Sequence, residues 1–273
     1  MPIFRVDNEF KQYEKNPFNN DEPYNDDWIL IKLIDKADDF QMMTTGGKSQ
    51  IFRFIITKEA KCWQYRIQDF IQYETSYGKN IILAIDADDL NGSQLEYRGH
   101  KYNDCFLRDY EERILVHTTT IENYNKIITS KALKSWNTLK SENSDWEESP
   151  IGAMIGDPVN YSNYIMFGTG GYYQEIITSS KQKGYIEMNV DCVYTAGARF
   201  YFSAERIAQD GLLIRDGVHL KVKGKLSLSN YLLWTATSNV LGISEQTTPR
   251  IFAETSDRMF TEKFGISLED TSY

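Results

Sequence analysis

The stretch Ile114–Leu133, "ILVHTTTIENYNKIITSKAL", decides how the second half of the chain folds. Its first residues form an apolar, β-branched run that is typical of a buried strand. The residues from Thr120 to Leu133 then change to a spacing of three and four, which predicts an amphipathic helix. The apolar positions of that helix are Ile121, Tyr124, Ile127 and Ile128. His117 therefore lies near the end of a predicted strand, just before a predicted helix.

The surroundings of His117 suit a polar ligand. An imidazole offers one donor and one acceptor in fixed directions. Thr119 lies on the same side of the strand by the period of two, and Asn123 adds an amide one turn into the helix. These groups match the ribose hydroxyls and the carboxamide of a nicotinamide nucleotide. The alternative is that His117 is a structural histidine at a strand end.

Composition limits the classes of protein to which the chain can belong. The net charge of −9 over 273 residues argues against a generic nucleic-acid binder, because phosphate binding usually requires a basic surface. It leaves room for a nucleic-acid enzyme, since a local basic patch can steer a polyanion. The basic runs of the second half are "SSKQKG" (179–184) and "KVKGK" (221–225), for which solvated turns are the simpler interpretation.

The sequence predicts a cytoplasmic protein without a membrane segment. No run of eighteen apolar residues is present, and the first residues lack the apolar core of a signal peptide. Cys62, Cys105 and Cys192 are scattered and odd in number, so we expect reduced thiols rather than a metal site or disulfides.

Patterning along the chain predicts an α+β protein with three parts. Residues 1–110 are expected to form a small mixed α/β unit, which begins with a loose acidic arm over residues 1–27. Residues 111–245 are expected to form the core of the protein, and residues 246–273 a C-terminal tail. The predicted strands are "WILIKLI" (28–34), "QIFRFIITK" (50–58), "IILAI" (81–85), "RILVH" (113–117), "NYIMF" (163–167), "YIEMNV" (185–190), "ARFYF" (198–202) and "VHLKVKG" (218–224).

Two other stretches resemble ligand-binding motifs but do not match them fully. "TTGGKS" (44–49) resembles the end of a phosphate-binding loop, but Met42 stands where that motif needs glycine, so a hairpin turn is expected. "AIDADDLNG" (84–92) places acids after a strand, yet Leu90 occupies a position where a calcium loop needs an oxygen ligand. A solvated turn is expected there, and no metal site is predicted.

The sequence "HTTTIENYNKII" (117–128) resembles the first motif of the ADP-ribosyltransferase superfamily, and is similar to that of DarT-type DNA-modifying toxins. In those toxins a strand carrying H-x-T runs into a helix with Asn and Ile. The corresponding residues here are His117, Thr119, Asn123 and Ile127. The resemblance implies that His117 holds a ribose of NAD and that Thr119 and Asn123 fix its orientation.

A second resemblance lies downstream. "YFSAERIAQDGLLIRDGVHLKV" (201–222) resembles the end of the RNA 2′-phosphotransferases, a branch of the same superfamily. The matching residues are Asp210, Gly211, Arg215, Gly217 and Val218. Together the two segments imply an ADP-ribosyltransferase-like split, two-sheet core that binds NAD as co-substrate, with Arg215 neutralising the pyrophosphate.

The catalytic residues depart from the superfamily. Many of these transferases carry a glutamate at the start of the last core strand, where this chain has Val218 and His219. The DarT-type arginine motif is replaced by "NYIMFGTGGYYQE" (163–175). We therefore predict Glu175 or His219, beside His117, as the catalytic groups that stabilise charge or deprotonate the acceptor. Tyr164 is predicted to stack on the nicotinamide ring; packing in the core is its alternative.

The resemblance implies an NAD-dependent mono-ADP-ribosyltransferase that modifies an RNA or DNA base, a glycosyltransferase in reaction class. By the same analogy it is a bacterial or phage toxin or defence effector with a neutralising antitoxin partner. The alternatives are a protein acceptor, an RNA 2′-phosphotransferase-like enzyme, and a non-catalytic module that binds ADP-ribose or nucleic acid.

Overall fold

The fold is taken from a computed structural model, which describes residues 2–36, 43–44, 50–143 and 157–268. The chain is an α+β protein, as its patterning predicts. It divides into two compact units. Unit 1 contains the described residues up to 104, with 157–161 and 214–219; unit 2 contains 105–143, 162–213 and 220–268.

Unit 1 is built on a mostly parallel sheet. Its strands are β1 (Ile3–Val6), β2 (Trp28–Ile34), β3 (Met43–Thr44), β4 (Phe52–Thr57) and β5 (Asn80–Ala84), and its helices are α1 (Trp63–Ser76) and α2 (Ala87–Glu96). The strand order is β1-β5-β2-β4-β3, with only the β3–β4 pair antiparallel. Ile31 and Leu30 face different apolar clusters, so β2 is buried on both sides, which explains its unbroken apolar sequence.

Two expectations for unit 1 differ from the structure. Residues 1–27 do not form a loose arm: β1 pairs in parallel with β5, and Tyr24 is buried. The acidic stretch after β5 is a helix rather than a turn. Asp86 is the N-cap of α2, and Asp88 and Asp89 lie in its first turn, where the helix dipole stabilises carboxylates. The predicted turn at 45–49 lies outside the described residues.

Unit 2 contains most of the elements predicted from the second half of the sequence. Its strands are β6 (Ile114–Thr119), β7 (Ala132–Lys134), β8 (Tyr164–Phe167), β9 (Tyr194–Thr195), β10 (Ala198–Ser203), β11 (Leu213–Arg215, divided between the units), β12 (Leu220–Lys223), β13 (Lys225–Ser227), β14 (Leu232–Thr237) and β15 (Gln246–Thr247). Its helices are α3 (Ile121–Ser130), α4 (Trp136–Glu142), α5 (Tyr173–Lys183), α6 (Ala204–Gln209), α7 (Leu228–Tyr231), α8 (Ser238–Leu241) and α9 (Pro249–Phe264). A 3₁₀ turn, Val159–Asn163, is divided between the units.

The strands of unit 2 form two antiparallel groups around β6. β10 lies between β14 and β6, and β12 pairs with β8. The two groups meet at one bridge, in which the backbone groups of Val116 and Gly168 bond each other in both directions. An apolar cluster that includes Leu115, Phe167 and Phe200 covers one face of this arrangement.

Three predicted elements of unit 2 are corrected by the structure. The helix after β6 ends at Ser130 rather than Leu133, because Lys131 adopts a left-handed conformation (φ 54°) and Ala132 begins β7. Residues 185–190 do not form the predicted strand. Residues 246–273 include α9, whose Phe252 and Phe260 are fully buried.

No helix in the described part of the chain combines the length and the apolar character needed to cross a membrane.

Gly197 provides a test of the packing around β6. A Cβ atom on Gly197 would lie 1.9 Å from the carbonyl oxygen of Thr119, so Gly197→Ala forces the backbones apart. We expect a loss of about 1–3 kcal/mol in the free energy of unfolding, measured by urea denaturation. The matched control is Gly92→Ala in α2, where nothing lies within 4 Å, and a gain of about 0.5–1 kcal/mol is expected. Equal stability of Gly197→Ala and the native chain would contradict the close approach.

Candidate functional site

His117 lies in the middle of the unit 2 strands. It pairs with Phe200 of β10, and its Nδ1 lies 3.1 Å from the carbonyl oxygen of Met166 in β8. Its ring makes an edge contact with Phe167, with the centroids 6.1 Å apart. His117 is half-buried as a residue, and these two contacts fix the direction of its ring.

The contacts of His117 determine its tautomer. A carbonyl oxygen can only accept a hydrogen bond, so Nδ1 carries the proton that faces Met166. Burial lowers the pKa of His117, although the bond to Met166 acts in the opposite direction. The neutral ring therefore keeps its lone pair on Nε2, where it accepts a hydrogen bond from a hydroxyl or an amide.

The groups predicted to accompany His117 lie at the junction of β6 and α3. Thr119 follows His117 on the same face of the strand and is half-buried. Thr120 caps α3, since its Oγ1 accepts a bond from the backbone N–H of Asn123 at 3.4 Å. Asn123 is half-buried in the first turn of α3. His117 and Thr119 therefore lie at the end of β6 and Asn123 at the start of α3, and their shared role in binding stays a prediction.

The other face of β6 is tied to α5. Thr118 Oγ1 donates to the carbonyl oxygen of Gln174 at 2.7 Å and lies 2.9 Å from Thr178 Oγ1. Thr118 is buried, because alternation along the strand turns it away from the face of His117.

A buried ionic cluster lies on that same second face. Arg199 of β10 pairs in register with Thr118, and its side chain is 0% exposed. Its Nε and Nη2 donate to the two carboxylate oxygens of Asp257 in α9, at 3.0 and 2.9 Å. Tyr201 also donates its hydroxyl to Asp257, at 2.7 Å. Burial by itself disfavours the guanidinium charge, but Asp257 raises the pKa of Arg199 above its ordinary value.

Glu175, predicted as a catalytic acid, belongs to this cluster. It is 1% exposed; its Oε1 accepts from Arg199 Nη1 at 3.3 Å and its Oε2 from the Tyr194 hydroxyl at 2.7 Å. Burial raises the pKa of Glu175 to about 7, against the opposing effects of Arg199 and Tyr194. Arg199 is the cation for both Glu175 and Asp257, so its single positive charge is shared between two carboxylates. Glu175 therefore keeps its proton more readily than an exposed glutamate. Both of its oxygens are engaged inside the fold.

Tyr164, predicted to stack on nicotinamide, is 7% exposed. Alternation along β8 places it on the opposite face from Phe167, which contacts His117. The ammonium of Lys221 lies 4.7 Å from the centre of its ring. Lys221 is itself 0% exposed, so of the basic run 221–225 only Lys223 and Lys225 present exposed charges.

Arg215 and His219 lie in the part of the chain that belongs to unit 1. Arg215 is 1% exposed, and its Nη1 donates to the carbonyl oxygen of Asp104 at 3.2 Å. The Nδ1 of His219 lies 3.2 Å from an oxygen of the fully buried Asp216. Their roles towards NAD stay predictions from the sequence.

Sequence reasoning missed Arg199 and Asp257. The available signal was a charged residue inside the apolar run "ARFYF", since a charge within a buried strand requires a partner. Nothing local in the sequence identifies Asp257 as that partner, because 58 positions separate the two residues. Among the described residues, no group of three or more His, Cys, Asp or Glu side chains is arranged to hold a metal ion.

Titration of His117 tests its environment. Folding lowers the pKa of His117, so the unfolded chain binds the proton more tightly. Its contribution to stability is complete above the unfolded value, roughly 6.5, and is lost as the pH falls through that value towards the folded one. We expect NMR to show Nδ1 protonated at neutral pH and His117→Gln to weaken the loss of stability on the acid side. A ring protonated on Nε2 would contradict the assigned tautomer.

Glu175→Gln tests the ionic cluster. The folded chain holds the Glu175 proton more tightly than the unfolded chain. The protonated Glu175 therefore contributes fully to the stability of the fold below the unfolded pKa, roughly 4.3, and this contribution is lost as the pH rises through about 7. Between about pH 5 and about pH 8 the native chain should lose on the order of 2 kcal/mol of unfolding free energy as Glu175 ionises. The variant should not show this loss, because glutamine does not titrate. Urea denaturation across that range measures it; parallel pH profiles would refute the assignment.

Comparison with known proteins gives no relative from which function can be transferred. No protein-family model, no curated protein and no solved structure matches the chain. Its function is therefore inferred from the geometry around His117 and from the resemblance of two sequence segments to ADP-ribosyltransferases.

Proposed function

We propose that the protein is an NAD-dependent mono-ADP-ribosyltransferase that modifies a nucleic acid. The observation that carries the proposal is the fixed acceptor atom of His117. With Nδ1 bonded to the Met166 carbonyl, Nε2 accepts the proton of a ribose hydroxyl. Histidine followed by Thr119 and Asn123 is also the sequence pattern that resembles the first motif of the superfamily.

The residues around His117 fit a nicotinamide nucleotide in their donor and acceptor chemistry. The Thr119 hydroxyl donates and accepts, and the Asn123 amide offers both kinds of group, as a ribose and a carboxamide require. When bound, NAD supplies an ADP-ribosyl group whose bond to nicotinamide breaks with the electron pair leaving on nicotinamide. The task of His117 is to bind and orient the ribose, and the ring of Phe167 packs against one edge of the imidazole.

The arrangement of the strands supports the proposal of a split, two-sheet core. β6 belongs with β10 and β14, whereas β8 belongs with β12, and the two groups are joined by the backbone bridge between Val116 and Gly168 and by the bond from His117 to Met166. A ligand that reaches the half-buried His117 from this junction contacts side chains from both groups.

The proposed acceptor and biological role come from the resemblance alone. The DarT-like first motif favours a DNA or RNA base as acceptor. An enzyme of this class damages its own cell, so we propose a cytoplasmic toxin or defence effector that is kept inactive by a neutralising protein.

Label transfer tests the proposal. The protein is mixed with NAD labelled in its adenylate part and with RNA, DNA or cell lysate. We expect label on nucleic acid and release of nicotinamide, both reduced about a hundredfold or more in His117→Ala at NAD concentrations below KM, because the variant loses an interaction that binds the ribose. The histidine control is His100→Gln in unit 1, which is expected to keep the native rate because His100 pairs locally with Asp104.

Other outcomes overturn defined parts of the proposal. If the label appears on protein alone, the acceptor is a protein and not a nucleic acid. Consumption of NAD only with 2′-phosphorylated RNA identifies a phosphotransferase. Tight NAD binding without transfer or hydrolysis identifies a binding module. A rate unchanged in His117→Ala removes His117 from the site.

A further inference from the structure

The glycine-rich loop between β8 and α5 is held by side chains that lie far away in sequence. Gly171 donates its backbone N–H to Asp257 Oδ2 at 3.0 Å, and its carbonyl oxygen accepts from Arg199 Nη2 at 2.9 Å. Both backbone groups of one residue are thus fixed by the Arg199–Asp257 pair, which is itself bidentate. We name Arg199, Asp257 and Gly171 the loop clamp.

The loop lacks stiffness of its own. Gly170 and Gly171 have φ values of 138° and 64°, a region that favours glycine, and glycine brings the largest backbone freedom of any residue. A helix start after a glycine-rich loop often binds a phosphate. Here the Gly171 N–H already bonds the Asp257 carboxylate, so the clamp takes the place of an external anion at that group.

The clamped loop leads directly to His117. Three residues before Gly171, Gly168 bonds Val116 in both directions, with N–O distances of 2.7 and 2.9 Å. Two residues before Gly168, the Met166 carbonyl fixes Nδ1 of His117. The backbone that orients the imidazole is therefore held at Val116 and at the loop clamp.

We propose that Arg199 and Asp257 are positioning residues for the His117 site, acting through the Gly168–Gly171 loop and the Met166 carbonyl. Their role in turnover rests on the proposed function, but their effect on the His117 ring does not. The helix α9, which carries Asp257, then helps to position the residue that binds the ligand.

A role in stability alone makes a different kinetic prediction. If the clamp only stabilised the fold, its loss would lower the amount of active protein, so kcat would fall while KM for NAD stayed constant. Misplacing a ring that binds the ribose in both the ground state and the transition state raises KM and leaves kcat nearly unchanged. The split between KM and kcat separates the two roles.

The test variant is Asp257→Asn, which keeps the size of the side chain and removes the charge. We expect KM for NAD to rise about tenfold with kcat changed less than about threefold, and the NMR signals of the His117 ring nitrogens to show a mixture of tautomers. The matched control is Asp191→Asn, the same change at an exposed carboxylate that pairs with Arg250. The control should leave KM and the His117 signals at their native values.

Tyr201→Phe keeps the test decisive if Asp257→Asn does not fold. It removes one donor to Asp257 and retains the ring that stacks on Phe260 at 4.4 Å, so we expect a smaller rise in KM and a smaller change of the His117 signals. Native KM and native His117 signals in the folded variant overturn the proposal. A native chain that neither binds nor turns over NAD overturns the proposed function instead, and the His117 signals still decide whether the clamp positions the ring.

Discussion

Burial of one guanidinium, that of Arg199, is the constraint on which unit 2 depends. A charge removed from water is costly unless it is paired and its donors are satisfied. Asp257, Glu175, Tyr201 and the Gly171 carbonyl supply the partners, from α9, α5, β10 and the loop after β8. Elements distant in sequence are therefore required to meet at one side chain. Removing the Arg199 guanidinium leaves the buried Glu175 and the partly buried Asp257 without their cation, which is the kind of change that costs a protein several kcal/mol, about 3–5 for a fully buried pair.

The alternation of β6 places its residues in two different packed environments. Val116 and Thr118 face an apolar cluster and the ionic cluster, whereas His117 and Thr119 share the other side with Leu115 and the apolar cluster around Phe200. A site residue adjacent to two anchored residues needs little rearrangement to hold a ligand, which is the physical meaning of preorganisation. The same alternation explains why the neighbouring ionic cluster leaves the His117 ring uncharged: it lies on the other face of the sheet, and burial lowers the imidazole pKa.

Side-chain chemistry was easier to predict than side-chain environment. The sequence predicts Glu175 as an acid in the stretch 163–175, and the structure places it in the first turn of α5. Its burial against Arg199 and Tyr194 does not follow from that stretch, because neither partner is within helical reach of it. Tyr164 and Lys221 illustrate the same limit: an aromatic residue and a lysine in neighbouring strands meet only because β8 and β12 pair in one particular register.

The sequence by itself determined the local elements with strong periodicity: the strand 28–34, and the strand and helix around His117. Each of these depends on interactions within a few residues, which hydrophobic spacing reports directly. Tertiary structure alone decided that Asp257 clamps Gly171, that residues 3–6 complete a parallel sheet, and that Met166 orients His117. Those pairings join residues far apart in the chain, and their energies arise only when burial has removed the competing water.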